Sequence, residues 1–228
     1  MEDKAAYVRT MFARIAGCYD RANMFMTFGR DREWRRLAAK AAECSTGCLA
    51  LDVATGTGEL ALAVSELGAR VVGVDFCLEM LAVARAKPTL RRAGVILVAG
   101  DGLALPFPDD TFDCATTGFS LRNVANVSAL LSEMRRVVRP GGRVVCLELI
   151  PPDGHVWSWL FRIYSHGVAP LLARLAGGEA EAYRYLPDSV DRFLSADELR
   201  AIMEEVGLQQ VRYRRLNLGS VALHVGVK

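Results

Sequence analysis

The sequence predicts an α/β protein with a doubly wound, mostly parallel seven-stranded sheet, an N-terminal helical lid and an inserted helical segment. Three observations lead there. From Leu49 onward, short apolar runs alternate with stretches of helical periodicity, and such alternation means parallel strands joined by right-handed crossovers. The first run ends in a carboxylate and a glycine-rich turn, Asp52-Val-Ala-Thr-Gly-Thr-Gly58, and then opens into helix formers. At 228 residues and 52% hydrophobic content, the chain is about one domain long and has ample material for its core. Within one domain spanning 1–228 we expect a lid at 1–47, a ligand-binding core at 48–150, a substrate-facing insertion at 151–194 and a closing unit at 195–228.

Residues 1–43 read as helical, with Tyr7, Met11 and Ile15 on one face and Trp34, Leu37 and Ala41 on another, split by Gly17 to Gly29. Leu49 to Val53 suits a short buried strand. Gly56 and Gly58 allow a sharp turn and close approach of backbone to a ligand, and Leu60-Ala-Leu-Ala-Val64 starts a helix whose free N–H groups face that ligand. Val71 to Val74 is a second strand ending at Asp75, followed by a helix over Leu78 to Ala86. Val95 to Val98 is a third, ending at Gly100-Asp101. Asp113 to Thr117 is a fourth, then a helix over Ser128 to Val138. Pro140-Gly-Gly142 turns into a fifth strand, Arg143 to Ile150. The rhythm breaks between Pro151 and Arg184, where Trp157, Trp159, Phe161 and Tyr164 cluster. It returns with a helix over Ser195 to Val206, opened by the capping box Ser195/Glu198, and two final strands, Leu208 to Asn217 and Val221 to Val227.

Composition excludes several functions. Lys+Arg 28 against Asp+Glu 26 leaves a net charge of +2 with dispersed basic residues, which argues against a nucleic-acid partner. Six scattered cysteines, several in apolar strand-like runs, and the lack of a secretory leader point to buried thiols in a reducing cytoplasm. Cys44-x3-Cys48 is the one close pair and has no companion at ligand spacing, so no metal site is expected. The nearest approach to a membrane span, Val156 to Leu175, is interrupted by Arg162, His166, Pro170 and Arg174.

Gly56-x-Gly58-x-x-Ala61 with Asp75 at the end of the next strand also fits a dinucleotide site. Asp52 shifts the balance. A carboxylate four residues before the first glycine repels a pyrophosphate but suits a ligand bearing an ammonium and a sulfonium. Asp101 followed by Gly102 supplies an acceptor and a backbone donor for an adenine edge. This train of Asp52, Asp75 and Asp101 resembles the class I S-adenosylmethionine-dependent methyltransferases. The resemblance implies S-adenosyl-L-methionine as cofactor, held by Asp52, Thr55, Gly56, Thr57, Gly58, Asp75, Phe76, Met80, Asp101, Gly102, Thr117 and Gly118.

Four stretches outside that core narrow the acceptor. Phe12-x6-Tyr19-Asp20-x2-Asn23, Gly29-x4-Trp34-Arg35, Leu121-Arg-Asn-Val124 and Tyr183-x-Tyr185-Leu-Pro-x-Ser189-Val190 together resemble the quinone-biosynthesis C-methyltransferases, although Ser120 stands where that family usually has glycine. The resemblance runs from about Val8 to Lys228. It implies methylation of a polyprenylated quinol, demethylmenaquinol foremost, with the benzoquinol of ubiquinone synthesis or a small molecule outside quinone metabolism as alternatives. It also implies peripheral contact with the cytoplasmic membrane and leaves a homodimer open.

In such chemistry a ring carbon attacks the methyl group once a hydroxyl is deprotonated. Arg122 is expected to stabilise the phenolate, Asn123 to hold a ring oxygen, and Tyr19 and Asp20 to come from the lid, with Asp20 as a base. His166 is the rival base, though a lone histidine in an apolar stretch more often packs. The aromatic stretch Trp157 to Tyr164 reads as a greasy lid for a prenyl tail. An NAD-dependent oxidoreductase would need a Tyr-x-x-x-Lys or comparable pair after strand four or five, which is missing, and a silent binding module would bind cofactor without turnover.

Overall fold

The computed structural model describes residues 2–152, 154–169, 171–172 and 180–228. Three helices, α1 (Glu2–Ile15), α2 (Tyr19–Thr27) and α3 (Arg30–Ala41), precede the first strand. Then follow β1 (Leu49–Val53), α4 (Glu59–Ser65), β2 (Arg70–Asp75), α5 (Leu78–Ala86), a short α6 (Pro88–Arg92), β3 (Ile96–Ala99), β4 (Phe112–Gly118), α7 (Val127–Val137) and β5 (Val138–Leu149). The insertion holds α8 (His155–Ile163), which runs into a wider π-type turn at Tyr164–Val168, and α9 (Ala180–Asp191). The chain closes with α10 (Ala196–Glu205), β6 (Gln209–Leu216) and β7 (Val221–Val227).

The strands form one sheet in the order β3-β2-β1-β4-β5-β7-β6. All neighbours are parallel except β7, which runs antiparallel to β5 and to β6. Successive side chains of a strand point to opposite faces, so each β1 residue belongs to one of two cores. Ala50 joins α3 and α4, with Trp34, Ala38, Leu60 and Val64. Leu51 and Val53 join α7 and α10, with Leu130, Met134, Leu199 and Met203. Both sides of a parallel sheet are thereby covered, as its near-continuous apolar strands require. A third, smaller core of Met11, Ile15, Ala22, Met26 and Ala169 ties α1 and α2 to the insertion.

The predicted strands and the capping box are present: the Ser195 hydroxyl accepts from the Glu198 N–H, and the Glu198 carboxylate accepts from the Ser195 N–H. One expectation is corrected. Gly17 to Gly29 is no break between helices, because α2 occupies most of it and ends in a left-handed Phe28 (φ 52°). Its apolar positions pack on α1 and the insertion, and that packing, invisible in the local sequence, makes the helix. All six cysteines are free, four of them buried. No helix among the described residues is long and apolar enough to cross a membrane.

Candidate active site

The chain reverses direction across the sheet between β1 and β4, and a cleft opens there beyond the carboxyl ends of β1, β2 and β4, the usual place for a ligand in an open α/β sheet. Its empty volume is about 950 Å³ with the open mouth included. Two pieces of backbone shape its floor. Gly56 (φ +57°) faces open space, while Gly58 (φ +83°) starts α4 so tightly that a Cβ would lie 2.5 Å from Leu90 Cδ1. Asp75 fixes the loop: its Oδ2 accepts the Gly56 N–H at 2.7 Å and its Oδ1 the Cys77 N–H at 2.8 Å. Burial raises its pKa above the ordinary carboxylate value, and its spare lone pairs remain to accept from a ligand. Ala54 at the turn is left-handed without being glycine (φ 54°), a conformation that persists only where surroundings impose it.

Seven of the twelve expected cofactor residues line this cleft: Gly56, Asp75, Phe76, Met80, Asp101, Gly102 and Gly118. The other five stand behind it. Asp52, 1% exposed, accepts from Thr55 Oγ1 at 2.7 Å and Thr116 Oγ1 at 2.8 Å, and burial pushes its pKa up to about 6 against those hydrogen bonds. Thr55 is therefore a strut for Asp52. Thr117 Oγ1 lies 2.8 Å from the Val53 carbonyl and 2.5 Å from Ser120 Oγ. Gly58 belongs to the turn, and Thr57 donates to the lid residue Asp20 at 2.5 Å. Asp101 Oδ1 caps the next turn by accepting the Leu103 N–H at 2.9 Å. Helix α1, in the segment expected as a lid, contributes Ala5, Val8 and Phe12 to the roof, residues that were not among those expected at the cofactor.

A second chamber lies under α2, α3, the π-type turn and α9, lined mainly by apolar side chains that include Met26, Trp34, Phe161, Tyr164, Leu186 and Val190. Tyr19 and Phe119 line both spaces, so the cleft and the chamber share a wall. Arg122 also lines the chamber, from the turn after β4. Its Nη1 donates to Glu148 Oε1 at 2.5 Å and to the Phe119 carbonyl at 2.8 Å. Glu148, at the end of β5, has no exposed surface. Sequence reading missed it, because a glutamate in an apolar strand signals nothing until its partner is known. Arg122 Nε is buried without a partner.

Three expected roles move. Asn123 lines the cleft and not the chamber, with its Nδ2 3.4 Å from the Phe119 carbonyl and its buried Oδ1 unpartnered. Asp20 is no free base: one oxygen accepts from Thr57 and the other pairs with Lys87 Nζ at 2.5 Å, while Lys87 also binds Glu59 at 2.7 Å and the Thr57 carbonyl at 2.8 Å. The helix α2 thus latches onto the glycine turn. His166 neither packs nor faces the chamber; it is exposed, with Nε2 3.3 Å from Asp191. The side chain of Tyr183 lies outside the described residues.

The family model of the ubiE/COQ5 methyltransferase family matches residues 1–228. The chain belongs to that family. It is 44% identical over 229 residues to the demethylmenaquinone methyltransferase of Roseiflexus castenholzii, spanning 100% of this chain and 95% of that one. With the demethylmenaquinone methyltransferase of Thermus thermophilus it shares 45% over 218 residues, 95% of this chain and 99% of the relative. Among solved structures, a SAM-dependent methyltransferase of Thermotoga maritima superposes with a TM-score of 0.68 at 18% identity, over 97% of this chain and 99% of that chain. That likeness shows a shared fold.

Proposed function

We propose that the enzyme methylates a ring carbon of a polyprenylated naphthoquinol, demethylmenaquinol, with S-adenosyl-L-methionine as methyl donor. The observation that carries this reading is the wall shared by the two spaces at Tyr19 and Phe119, with the buried Arg122–Glu148 pair on the chamber side. The residues present fit the cofactor. Asp75 offers acceptor positions for a ribose diol, Gly56 leaves room for close approach, and the orphaned Asn123 Oδ1 awaits a donor. When bound there, the cofactor supplies an electrophilic methyl group. Arg122 holds a permanent positive charge in a water-poor site, where it favours the quinol as its phenolate and so raises the nucleophilicity of the adjacent carbon. Tyr19 and Phe119 orient the ring against the cleft, and α1 and α2 roof the two spaces.

The insertion supports a prenyl tail and a cytoplasmic membrane surface. Phe161 and Tyr164 line the chamber, while Trp157, Trp159, Ile163 and Leu171 of the same segment are exposed, and Phe28, its ring tilted against Tyr164 at 6.5 Å, is 75% exposed. Exposed apolar side chains on a segment that also lines an apolar chamber suit a substrate that resides in lipid.

The test is methyl transfer to reduced demethylmenaquinone and to the reduced benzoquinone precursor, with product mass, beside calorimetry with S-adenosylhomocysteine and NAD. Binding of S-adenosylhomocysteine and a naphthoquinol heavier by one methyl group are expected. Binding of NAD alone, or no methylated quinol, overturns the reading.

A further inference from the structure

Two buried arginines, each paired with a carboxylate, line the mainly apolar chamber and both touch Phe119, whereas the third arginine of the lining, Arg30, is bonded to Asn217. The first is Arg122–Glu148, whose Nη1 is bonded to the Phe119 carbonyl. The second is Arg35 with Asp31, one turn apart on α3; Arg35 is 8% exposed, and its guanidinium carbon lies 5.4 Å from the centre of the Phe119 ring. Thr27 Oγ1 donates to the other oxygen of Asp31 at 3.0 Å, which fixes the carboxylate. Phe119 is itself over-determined: its backbone is left-handed (φ 59°), its N–H is held by the Leu147 carbonyl at 2.7 Å, and Trp34 packs edge-on at 6.3 Å. Buried ion pairs contribute little net stability, since desolvation offsets their attraction. Two of them around one aromatic wall call for a ligand with two polar ends.

Resting on the quinol reading above, we propose that Arg35 is a substrate-binding residue: Arg122 takes the oxygen next to the reacting carbon, and Arg35, held by Asp31, takes the oxygen on the opposite side of the ring. Asp31 is the one carboxylate lining the chamber among the described residues, and its attachment to Arg35 keeps that guanidinium turned along the chamber wall. The enzyme then selects 1,4-diols over mono-ols, because a buried charged donor left without its oxygen is costly.

The experiment compares two short-chain prenylated acceptors, the 1,4-naphthalenediol and the mono-ol that keeps only the hydroxyl beside the reacting carbon. For each enzyme the ratio of their kcat/KM values is taken, so that the intrinsic reactivity of the acceptors cancels between enzymes. Arg35→Met is expected to lower the diol-to-mono-ol ratio about 10- to 100-fold, mainly through KM for the diol, with S-adenosylhomocysteine affinity within about threefold of wild type. Arg35→Lys should restore part of the ratio. The double variant Asp31→Asn/Arg35→Met leaves no carboxylate buried alone, and it reports the ratio if the single variant melts too early. An unchanged ratio in these variants overturns the proposal while leaving the quinol reading intact. Failure of the wild-type enzyme to methylate either acceptor overturns both.

Discussion

Removing Glu148 while keeping Arg122 leaves a guanidinium buried against β5 without its counter-charge. Glu148→Leu also deprives the Leu149 N–H of an acceptor at 2.8 Å, but the charge dominates. Breaking a buried pair from one side costs about 3–5 kcal/mol. For a chain of this length each kcal/mol moves Tm by about 2–4 °C, so the single variant should melt about 6–20 °C lower. Replacing both partners, Arg122→Met with Glu148→Leu, removes the stranded charge, and the loss of the Arg122 bond to the Phe119 carbonyl should cost only about 1 kcal/mol. The double variant should therefore be more stable than Glu148→Leu by about 2 kcal/mol or more. Turnover should move the other way. With no charge at the acceptor oxygen, the double variant should lose about 10²- to 10³-fold in kcat while still binding S-adenosylhomocysteine. The assays are thermal or urea unfolding and single-turnover methyl transfer. If the single and double variants are equally stable, or if the double variant keeps wild-type turnover, the pair is not the electrostatic unit described above.

Other outcomes follow from the same geometry. Asp75→Asn should weaken S-adenosylhomocysteine binding about 10- to 100-fold by calorimetry, because the ribose acceptor loses its charge and the Gly56 loop its anchor. Lys87→Met should loosen α2 on the glycine turn, leaving only the Thr57 hydroxyl on Asp20. Asp20 and Glu59 are about a third exposed, so the stability loss is screened to about 1–2 kcal/mol, but the off-rate of S-adenosylhomocysteine should rise about 5- to 30-fold by stopped flow. Two buried groups give opposite pH terms. His224, with Nε2 donating to the Ala196 carbonyl at 2.9 Å, has a pKa lowered to about 4 by burial, so it contributes stability above pH 6.5 that is lost as the pH falls towards 4. Asp52, raised to about 6, contributes stability below pH 3.8 that is lost as the pH rises through 6. Each term is about 3 kcal/mol. Unfolding measured at pH 7 and pH 4 should show Asp52→Asn losing about 2 kcal/mol more than wild type over that fall, and His224→Gln losing about 3 kcal/mol less. Parallel pH profiles for the three proteins would refute both assignments.

Much of the cleft at the strand ends was legible because its signals are local. Asp52 to Gly58 carries its strand, turn and helix start within a few residues, and Asp75 and Asp101 each follow an apolar run whose end must face the ligand side of a parallel sheet. The same locality misjudged Asp52. Spacing shows that a carboxylate precedes the turn, but only packing shows it bonded to Thr55 and Thr116 and turned from the cleft. Asp20 looked like a base for the same reason, until Lys87, 67 residues later in the numbering, proved to hold it.

What the sequence by itself determined is the order and direction of the elements and the glycine-rich turn that closes β1. Hydrophobic period and backbone chemistry act over a handful of residues and are written there. Tertiary structure alone decided the pairings: Arg122 with Glu148, Arg35 beside Phe119, and α2 latched to the glycine turn. A buried charge depends on the partner brought to it from a distant part of the chain, and in Arg122 and Glu148 that partner comes from another strand's end, so no local pattern could carry it.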